Sequence, residues 1–136
     1  AIENCPLDDI VTYSNEAVAS IDWQTDSNIG IKPGEQITME QSLYGLLVGS
    51  ANEVGNAIGE HISGSMGAFV DLMNQRAREL GCRDSHFVTT NGTFDENHYT
   101  SAYDLALIAR AFFSNDLLCN RQPGNEYPQQ EPAVSR

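Results

Sequence analysis

The sequence predicts a mainly α-helical domain with at most one or two short strands, and three observations support this. Apolar residues recur at three- and four-residue spacing over four stretches between residues 39 and 113, as on the buried faces of helices. Serine or threonine precedes three of these stretches, and glycine follows three of them, which marks helix starts and ends. Strict alternation of apolar and polar residues is confined to the N-terminal third.

Composition sets the outer limits of the interpretation. A chain of 136 residues with 40% hydrophobic and 19% charged residues is one globular domain at most. No apolar run reaches the roughly 18 residues of a membrane span, and the N-terminus has no signal-peptide pattern. One lysine and six arginines oppose 19 acidic residues, giving a net charge of −12. This balance argues against nucleic acid and against contact with anionic membranes.

The N-terminal third is predicted to hold the strands. The sequence "DIVTYS", residues 9–14, alternates as a short strand does, and a short helix follows it with Ser14 or Asn15 as N-cap. A turn at Pro33-Gly34 then predicts either a second short strand or a direct lead into a helix.

Four helices are predicted after this turn. Thr38 and Gln41 form a capping box that opens the first, which should end near Gly49. The second should begin near Glu53 and end at Gly64. Ser65 and Ser101 are predicted to cap the third and the last, and Gly81 ends the third. The predicted core consists of Leu43, Leu46, Leu47, Ile58, Phe69, Leu72, Leu105 and Ile108.

Ser50-Ala51-Asn52 interrupts the leucine-rich face between the first two of these helices. A serine-x-asparagine triplet is the second of three elements in serine acyl-transferases of the penicillin-binding type, between S-x-x-K and K-T-G. Alone the triplet is weak, because serine and asparagine are common caps at helix junctions.

The surroundings of the triplet are more specific. The stretches "KPGE", "LYGLLVGSANEVGNAI", "FVDLMNQRARELG", "HFVTTNG" and "HYTSAYDLALIAR" occur in this order between about Leu7 and Ser114. Together they resemble the middle of the serine-type D-alanyl-D-alanine carboxypeptidases, the low-molecular-mass penicillin-binding proteins of bacterial cell-wall metabolism. The sequence departs from that family at Thr89-Thr90, where a proline usually precedes the asparagine-glycine pair.

The resemblance implies the helical subdomain of the penicillin-binding/serine β-lactamase-like fold, with the main sheet largely missing. It implies that Ser50 relays a proton between the nucleophile's lysine and the leaving amine, and that Asn52 binds the substrate. For the full-length parent it implies trimming of peptidoglycan stem peptides through an acyl-enzyme, binding of β-lactams, and an extracytoplasmic location in the cell envelope or outside the cell.

Two elements of that chemistry are absent from the sequence. Lys32 is the only lysine, and the residue three before it is Ile29, so no S-x-x-K occurs. Pro33 follows Lys32 and favours a turn over a K-T-G strand. We therefore expect residues 1–119 to be a helical, S-x-N-bearing central segment that is inactive alone, and residues 120–136 to be a loose or appended tail.

Other functional interpretations stay open at this point. A related serine β-lactamase or esterase segment is one, although Ala51 stands where class A lactamases usually carry aspartate. A non-catalytic helical module with the same scaffold is another. A longer sequence would separate these alternatives, since S-x-x-K and K-T-G are specific to the enzymes.

No cofactor and no metal site are predicted. Cys5, Cys82 and Cys119 are far apart and lack the spacing of zinc ligands, so small, partly buried thiols are expected. The three histidines, His61, His86 and His98, could pair with acids or cysteines, but their spacing defines no site.

Overall fold

The computed structural model describes residues 1–115 and confirms a mainly α-helical fold with two short strands. The elements in chain order are β1 (Ile10–Thr12), α1 (Asn15–Ala19), β2 (Gln36–Thr38), α2 (Met39–Gly49), α3 (Asn52–Ser63), α4 (Met66–Glu79) and α5 (Ala102–Phe113). The predicted tail, residues 120–136, lies outside the described residues.

The two strands pair antiparallel, with Val11 opposite Ile37. Val11 is fully buried while its neighbours in β1 are exposed, which is the alternation predicted for residues 9–14. The predicted turn precedes β2: Gly34 adopts a left-handed φ of 85° and donates its amide to the Tyr13 carbonyl at 2.7 Å. The first of the two alternatives, a second short strand after the turn, is therefore the observed one, and α2 begins directly after it.

Local capping signals placed the helix ends correctly. Thr38 and Gln41 form the complete capping box at the start of α2. Ser14, Ser65 and Ser101 each accept a hydrogen bond from a backbone amide in the first turn of α1, α4 and α5 respectively. The predicted terminal glycines at 64 and 81 both have left-handed φ values.

Helix α3 lies at the centre of the packing, against α1, α2, α4 and β1. All of its residues from Glu53 to Gly59 are buried. Small residues on α3 let its neighbours approach: a Cβ on Gly59 would lie 3.0–3.2 Å from atoms of Phe69 on α4. The buried apolar cluster around α3 comprises Val11, Tyr13, Ala17, Val18, Ile31, Met39, Ala51, Val54, Ala57 and Ile58.

The predicted core was wrong for two leucines. Leu47 is 56% exposed and Leu105 is 51% exposed. In α2 the fully buried side chains are Met39 and Ser42. Leu47 comes one residue after half-buried Leu46, so its side chain points in a different direction around the helix, and there it is exposed to solvent. Ile58 is buried as predicted, whereas the remaining predicted core residues are half-buried: Leu43, Leu46, Phe69, Leu72 and Ile108.

Candidate functional site

The junction of α2 and α3 holds Ser50 in an unusual backbone conformation. Its φ and ψ of 52° and 34° are left-handed, and it is the one non-glycine residue with positive φ in residues 1–115. The amides of Ser50 and Ala51 both donate to the Gly45 carbonyl, which closes the end of α2. A left-handed residue with a Cβ costs about 1–2 kcal/mol, and such strain clusters at functional sites.

Asn52 begins α3 and is held by the loop that carries Ser27. The backbone amide of Asn52 donates to the Ser27 carbonyl at 2.9 Å, and its side-chain Nδ2 donates to the same oxygen at 3.3 Å. The Ser27 carbonyl thus binds the first turn of α3, whose N-cap residue, Ala51, has no capping side chain. The second hydrogen of Nδ2 and the Oδ1 atom of Asn52 have no partner among the described residues, and they can bind a ligand.

Glu53 and Ile29 hold this loop against both helices. Glu53 is fully buried, and its Oε1 accepts the Ile29 amide at 2.8 Å. A Cβ at either Gly45 or Gly49 would lie 2.9 Å from the Ile29 side chain, so these glycines let Ile29 lie directly on α2. The other Glu53 oxygen, Oε2, is buried and has no hydrogen-bond partner among the described residues.

Tyr13 and Ser42 lie buried near the same carboxylate. The Tyr13 hydroxyl donates to Ser42 Oγ at 3.0 Å, and both side chains are fully buried. Burial raises the pKa of Tyr13, and the charge of Glu53 raises this pKa further, against the opposing effect of the Ser42 hydrogen bond. The residue directly after the S-x-N triplet, Glu53, is therefore a buried carboxylate close to a buried, hydrogen-bonded pair of hydroxyls.

One turn further along α3, Asn56 joins three parts of the chain. Its Nδ2 donates to the Ala17 carbonyl at 3.2 Å and to Ser20 Oγ at 2.9 Å, and its Oδ1 accepts from the Thr90 hydroxyl. In the turn after Thr90, Gly92 has a left-handed φ of 83°. This network fixes the first half of α3, and with it the residues that precede the helix.

Ser50 and Asn52 lie two residues apart at the α2–α3 junction, and within residues 1–115 no catalytic base contacts either side chain. Lys32 is exposed in the turn before β2, where its amide donates to Glu35 Oε2 at 2.6 Å. Two histidines serve local structure: His98 Nδ1 accepts the amides of Val88 and Thr89, and His86 Nδ1 lies 2.8 Å from the Asn97 carbonyl.

Sequence reasoning missed a second cluster, formed by Cys5, Asp9 and His61. One ligand atom from each of the three lies within 4.8 Å of the others. His61 is 52 residues from Asp9 in sequence, so no local spacing could have indicated this group.

Among the helices in residues 1–115, none has both the length and the apolar character that crossing a bilayer requires.

Comparisons with known proteins agree with these features. Residues 1–122 match the D-alanyl-D-alanine carboxypeptidase family of peptidases. The D-alanyl-D-alanine carboxypeptidase DacF of Bacillus subtilis is 42% identical over 84 residues, which are 62% of this chain and 22% of DacF. DacA of Escherichia coli is 35% identical over 121 residues, 88% of this chain and 28% of DacA.

Solved structures give the same result for the fold. The D-alanyl-D-alanine carboxypeptidase DacD from Francisella tularensis superposes with a TM-score of 0.76 at 33% identity, over 84% of this chain and 27% of that one. Penicillin binding protein 6B from Escherichia coli gives 0.77 at 31% identity, over 83% and 36%. The chain thus has the helical part of the penicillin-binding/β-lactamase-like fold, and it spans about a quarter of the length of the curated relatives it matches. With the family match extending over nine-tenths of the sequence, the chain belongs to the D-alanyl-D-alanine carboxypeptidase family.

Proposed function

We propose that this chain provides the S-x-N side of the active site in a serine-type D-Ala-D-Ala carboxypeptidase, which trims peptidoglycan stem peptides through an acyl-enzyme. Family membership supports the reaction class. The observation that carries the proposal is the left-handed, exposed Ser50 between α2 and α3. This conformation is held by the Gly45 carbonyl and presents a hydroxyl away from the helical packing.

Ser50 is proposed to relay a proton. A hydroxyl both donates and accepts, so it can take a proton from the lysine of S-x-x-K and pass it to the leaving D-alanine amine. The Ser50 hydroxyl has no hydrogen-bond partner among residues 1–115, which leaves it available for this exchange. Asn52 is proposed to hold the acylated peptide, with its amide donating to a substrate carbonyl and its Oδ1 accepting from the active-site lysine.

The 136-residue chain is proposed to be inactive on its own. Acylation requires a nucleophile with a neighbouring base, and the sequence contains neither S-x-x-K nor K-T-G. Residues of one catalytic unit act non-additively, so losing nucleophile and base together removes nearly all of the chemical rate. For the longer protein we propose peptidoglycan stem peptides and β-lactams as ligands, and an extracytoplasmic location.

Incubation of this chain with a fluorescent penicillin, followed by intact-mass analysis, tests the inactivity. We expect no adduct. A stoichiometric adduct would contradict the assignment of the nucleophile to a residue outside this sequence, and it would make Ser50 a candidate nucleophile.

The role of Ser50 is tested in a longer protein in which S-x-x-K and K-T-G flank this segment. General acid–base assistance contributes about 10²–10⁴-fold, so Ser50→Ala should slow acylation by penicillin to that extent while the circular dichroism spectrum is unchanged. Asn52→Ala should also slow acylation. Ser63→Ala, at the other end of α3, is the matched control and should acylate at the original rate. Equal rates for Ser50→Ala and the control would eliminate the relay.

A further inference from the structure

Three side chains of metal-ligating type converge near the end of α3 that is opposite the S-x-N junction. Cys5 lies in the N-terminal segment, Asp9 directly precedes β1, and His61 lies in the last turn of α3. One atom from each, a sulfur, a carboxylate oxygen and a ring nitrogen, lies within 4.8 Å of the other two. Within the part of the chain that the structure describes, this is the one group of three or more such residues with that proximity.

The distances are near those of a tetrahedral metal site. His61 Nε2 and Asp9 Oδ2 are 3.4 Å apart. Zinc bonds of about 2.0–2.2 Å to nitrogen and oxygen and about 2.3 Å to sulfur give ligand–ligand edges of about 3.3–3.6 Å in a tetrahedron. The nitrogen–oxygen pair already has the required separation, and the sulfur needs to move by little more than 1 Å at most.

The backbone holds the three residues in place before any ion binds. Asp9 is fixed on both sides, since its amide donates to the Pro6 carbonyl at 3.3 Å and its carbonyl accepts from the Met39 amide at 2.7 Å. Cys5 packs against the buried apolar cluster around α3. His61 is carried by α3, the most buried helix within residues 1–115. A site built on rigid elements needs little ordering when it binds its ion.

The electrostatic setting favours a cation. His61 lies near the C-terminal end of α3, where the helix dipole is negative, and the whole chain has a net charge of −12. The side chains of His61 and Asp9 are 23% and 44% exposed, so an ion can reach them from solvent. A thiolate and a carboxylate together balance a divalent charge.

We propose that Cys5, Asp9 and His61 bind Zn²⁺, with water as the fourth ligand. A soft thiolate, an imidazole and a carboxylate suit zinc and exclude Mg²⁺ and Ca²⁺, which require oxygen ligands. Binding releases the thiol proton to solvent and leaves the Cys5 sulfur as a thiolate. The ion would tie the segment before β1 to the end of α3. It involves none of the residues proposed for carboxypeptidase chemistry, so the two proposals stand or fall separately.

Zinc and cobalt titrations test the site in the 136-residue chain carrying Cys82→Ser and Cys119→Ser, which leaves Cys5 as the single thiol. We expect one Zn²⁺ per chain in competition with a chromophoric chelator, and a rise in melting temperature with zinc. Co²⁺ should give a thiolate-to-cobalt charge-transfer band and the visible spectrum of a tetrahedral ion. Mg²⁺ and Ca²⁺ should not compete.

Single substitutions in that background identify the ligands. Cys5→Ser should abolish the charge-transfer band, and His61→Gln and Asp9→Asn should each weaken zinc binding at least about 10-fold. His86→Gln and Asp71→Asn are the matched controls. Both residues are exposed and lie outside the cluster, so these variants should bind zinc as tightly as the parent does. Circular dichroism shows whether each variant is folded, and the near-isosteric Asp9→Asn covers the case in which another variant is not. Absence of 1:1 zinc binding, or binding that Cys5→Ser leaves unchanged, would overturn the proposal.

Discussion

Helices α3 and α5 have the same length, 12 residues, but they are held in opposite ways. In α3 every residue from Glu53 to Gly59 is buried, whereas in α5 the single buried residue is Asp104. Four large apolar or aromatic side chains of α5 are exposed in the described chain: Tyr103, Leu105, Phe112 and Phe113. The more apolar helix is thus the less buried one, because burial depends on which neighbours the fold supplies.

The two helices also differ in what fixes their position. Small residues on α3 allow close packing from several sides, whereas α5 is attached through its buried carboxylate. Asp104 accepts the Asp84 amide at 2.7 Å, the Arg83 amide at 3.3 Å and the Ser85 hydroxyl at 2.7 Å. Apolar packing, together with the hydrogen bonds of Glu53 and Asn56, positions α3, whereas hydrogen bonds to one carboxylate position α5.

The largest expected effect is the difference in stability between a variant of α3 and a variant of α5. Ile58 on α3 is 3% exposed, and Ile58→Ala should lower the free energy of unfolding by about 2–5 kcal/mol through lost burial and the cavity left behind. Leu105→Ala on α5, at a side chain 51% exposed, should change it by no more than about 0.5 kcal/mol. Urea unfolding followed by circular dichroism measures both. Similar losses in the two variants would show that α5 is as well packed as α3.

A smaller effect is expected where α3 meets the loop that carries Ile29. Glu53→Gln keeps an oxygen that accepts the Ile29 amide, whereas Glu53→Ala leaves that amide without its acceptor. The Gln variant should therefore be more stable than the Ala variant by about 1–3 kcal/mol in urea unfolding. Equal stabilities would mean that the hydrogen bond to Ile29 contributes nothing to holding the loop.

Because α5 is held by a carboxylate, the free energy of unfolding should depend on pH in the acidic range. The Ser85 hydroxyl, with the amides of Asp84 and Arg83, lowers the pKa of Asp104 below its ordinary value of 3.8. The folded state thus favours the charged form, so this contribution to stability is fully present above pH 3.8 and is lost as pH falls through the depressed pKa.

Unfolding by urea at a series of acidic pH values tests this dependence. Asp104→Asn should flatten the fall in stability at low pH, and Asp71→Asn, at an exposed carboxylate of α4, should leave that fall in place. An unchanged acid response in the Asp104 variant would contradict the role given to this network.

Local features of the fold were predictable from the sequence, and features that depend on distant contacts were not. The capping box at Thr38 and the terminal glycine at 64 lie within a few residues of the ends that they define, so the pattern shows them. The exposure of Leu47 depends on which face of α2 meets the rest of the molecule, and the leucine spacing alone could not decide this.

The candidate sites likewise include one part that the sequence could predict and one that it could not. The S-x-N triplet that contains Ser50 and Asn52 could be recognised because its three residues are contiguous in sequence. The convergence of Cys5 with His61 was not, because it results from the path of the chain around α3. The contact of Ile29 with Gly45 was likewise hidden, although a glycine in the middle of a leucine-rich helix signals a close approach in retrospect.

The smallest expected effect compares Gly59, at the contact between α3 and α4, with Gly67, which is exposed in the first turn of α4. In Gly59→Ala the new Cβ would lie 3.0–3.2 Å from atoms of Phe69, tighter than ordinary contact, so the ring must shift and the gain in helix propensity is offset. In Gly67→Ala, in the first turn of α4, the Cβ meets nothing within 4 Å. This variant should be stabilised by about 0.4–1 kcal/mol, because alanine restricts the unfolded chain and suits a helix. Thermal unfolding of the two variants should therefore show Gly67→Ala melting above the parent and Gly59→Ala melting below Gly67→Ala. If both rise equally, the close approach of Phe69 to α3 does not restrict this face of the central helix.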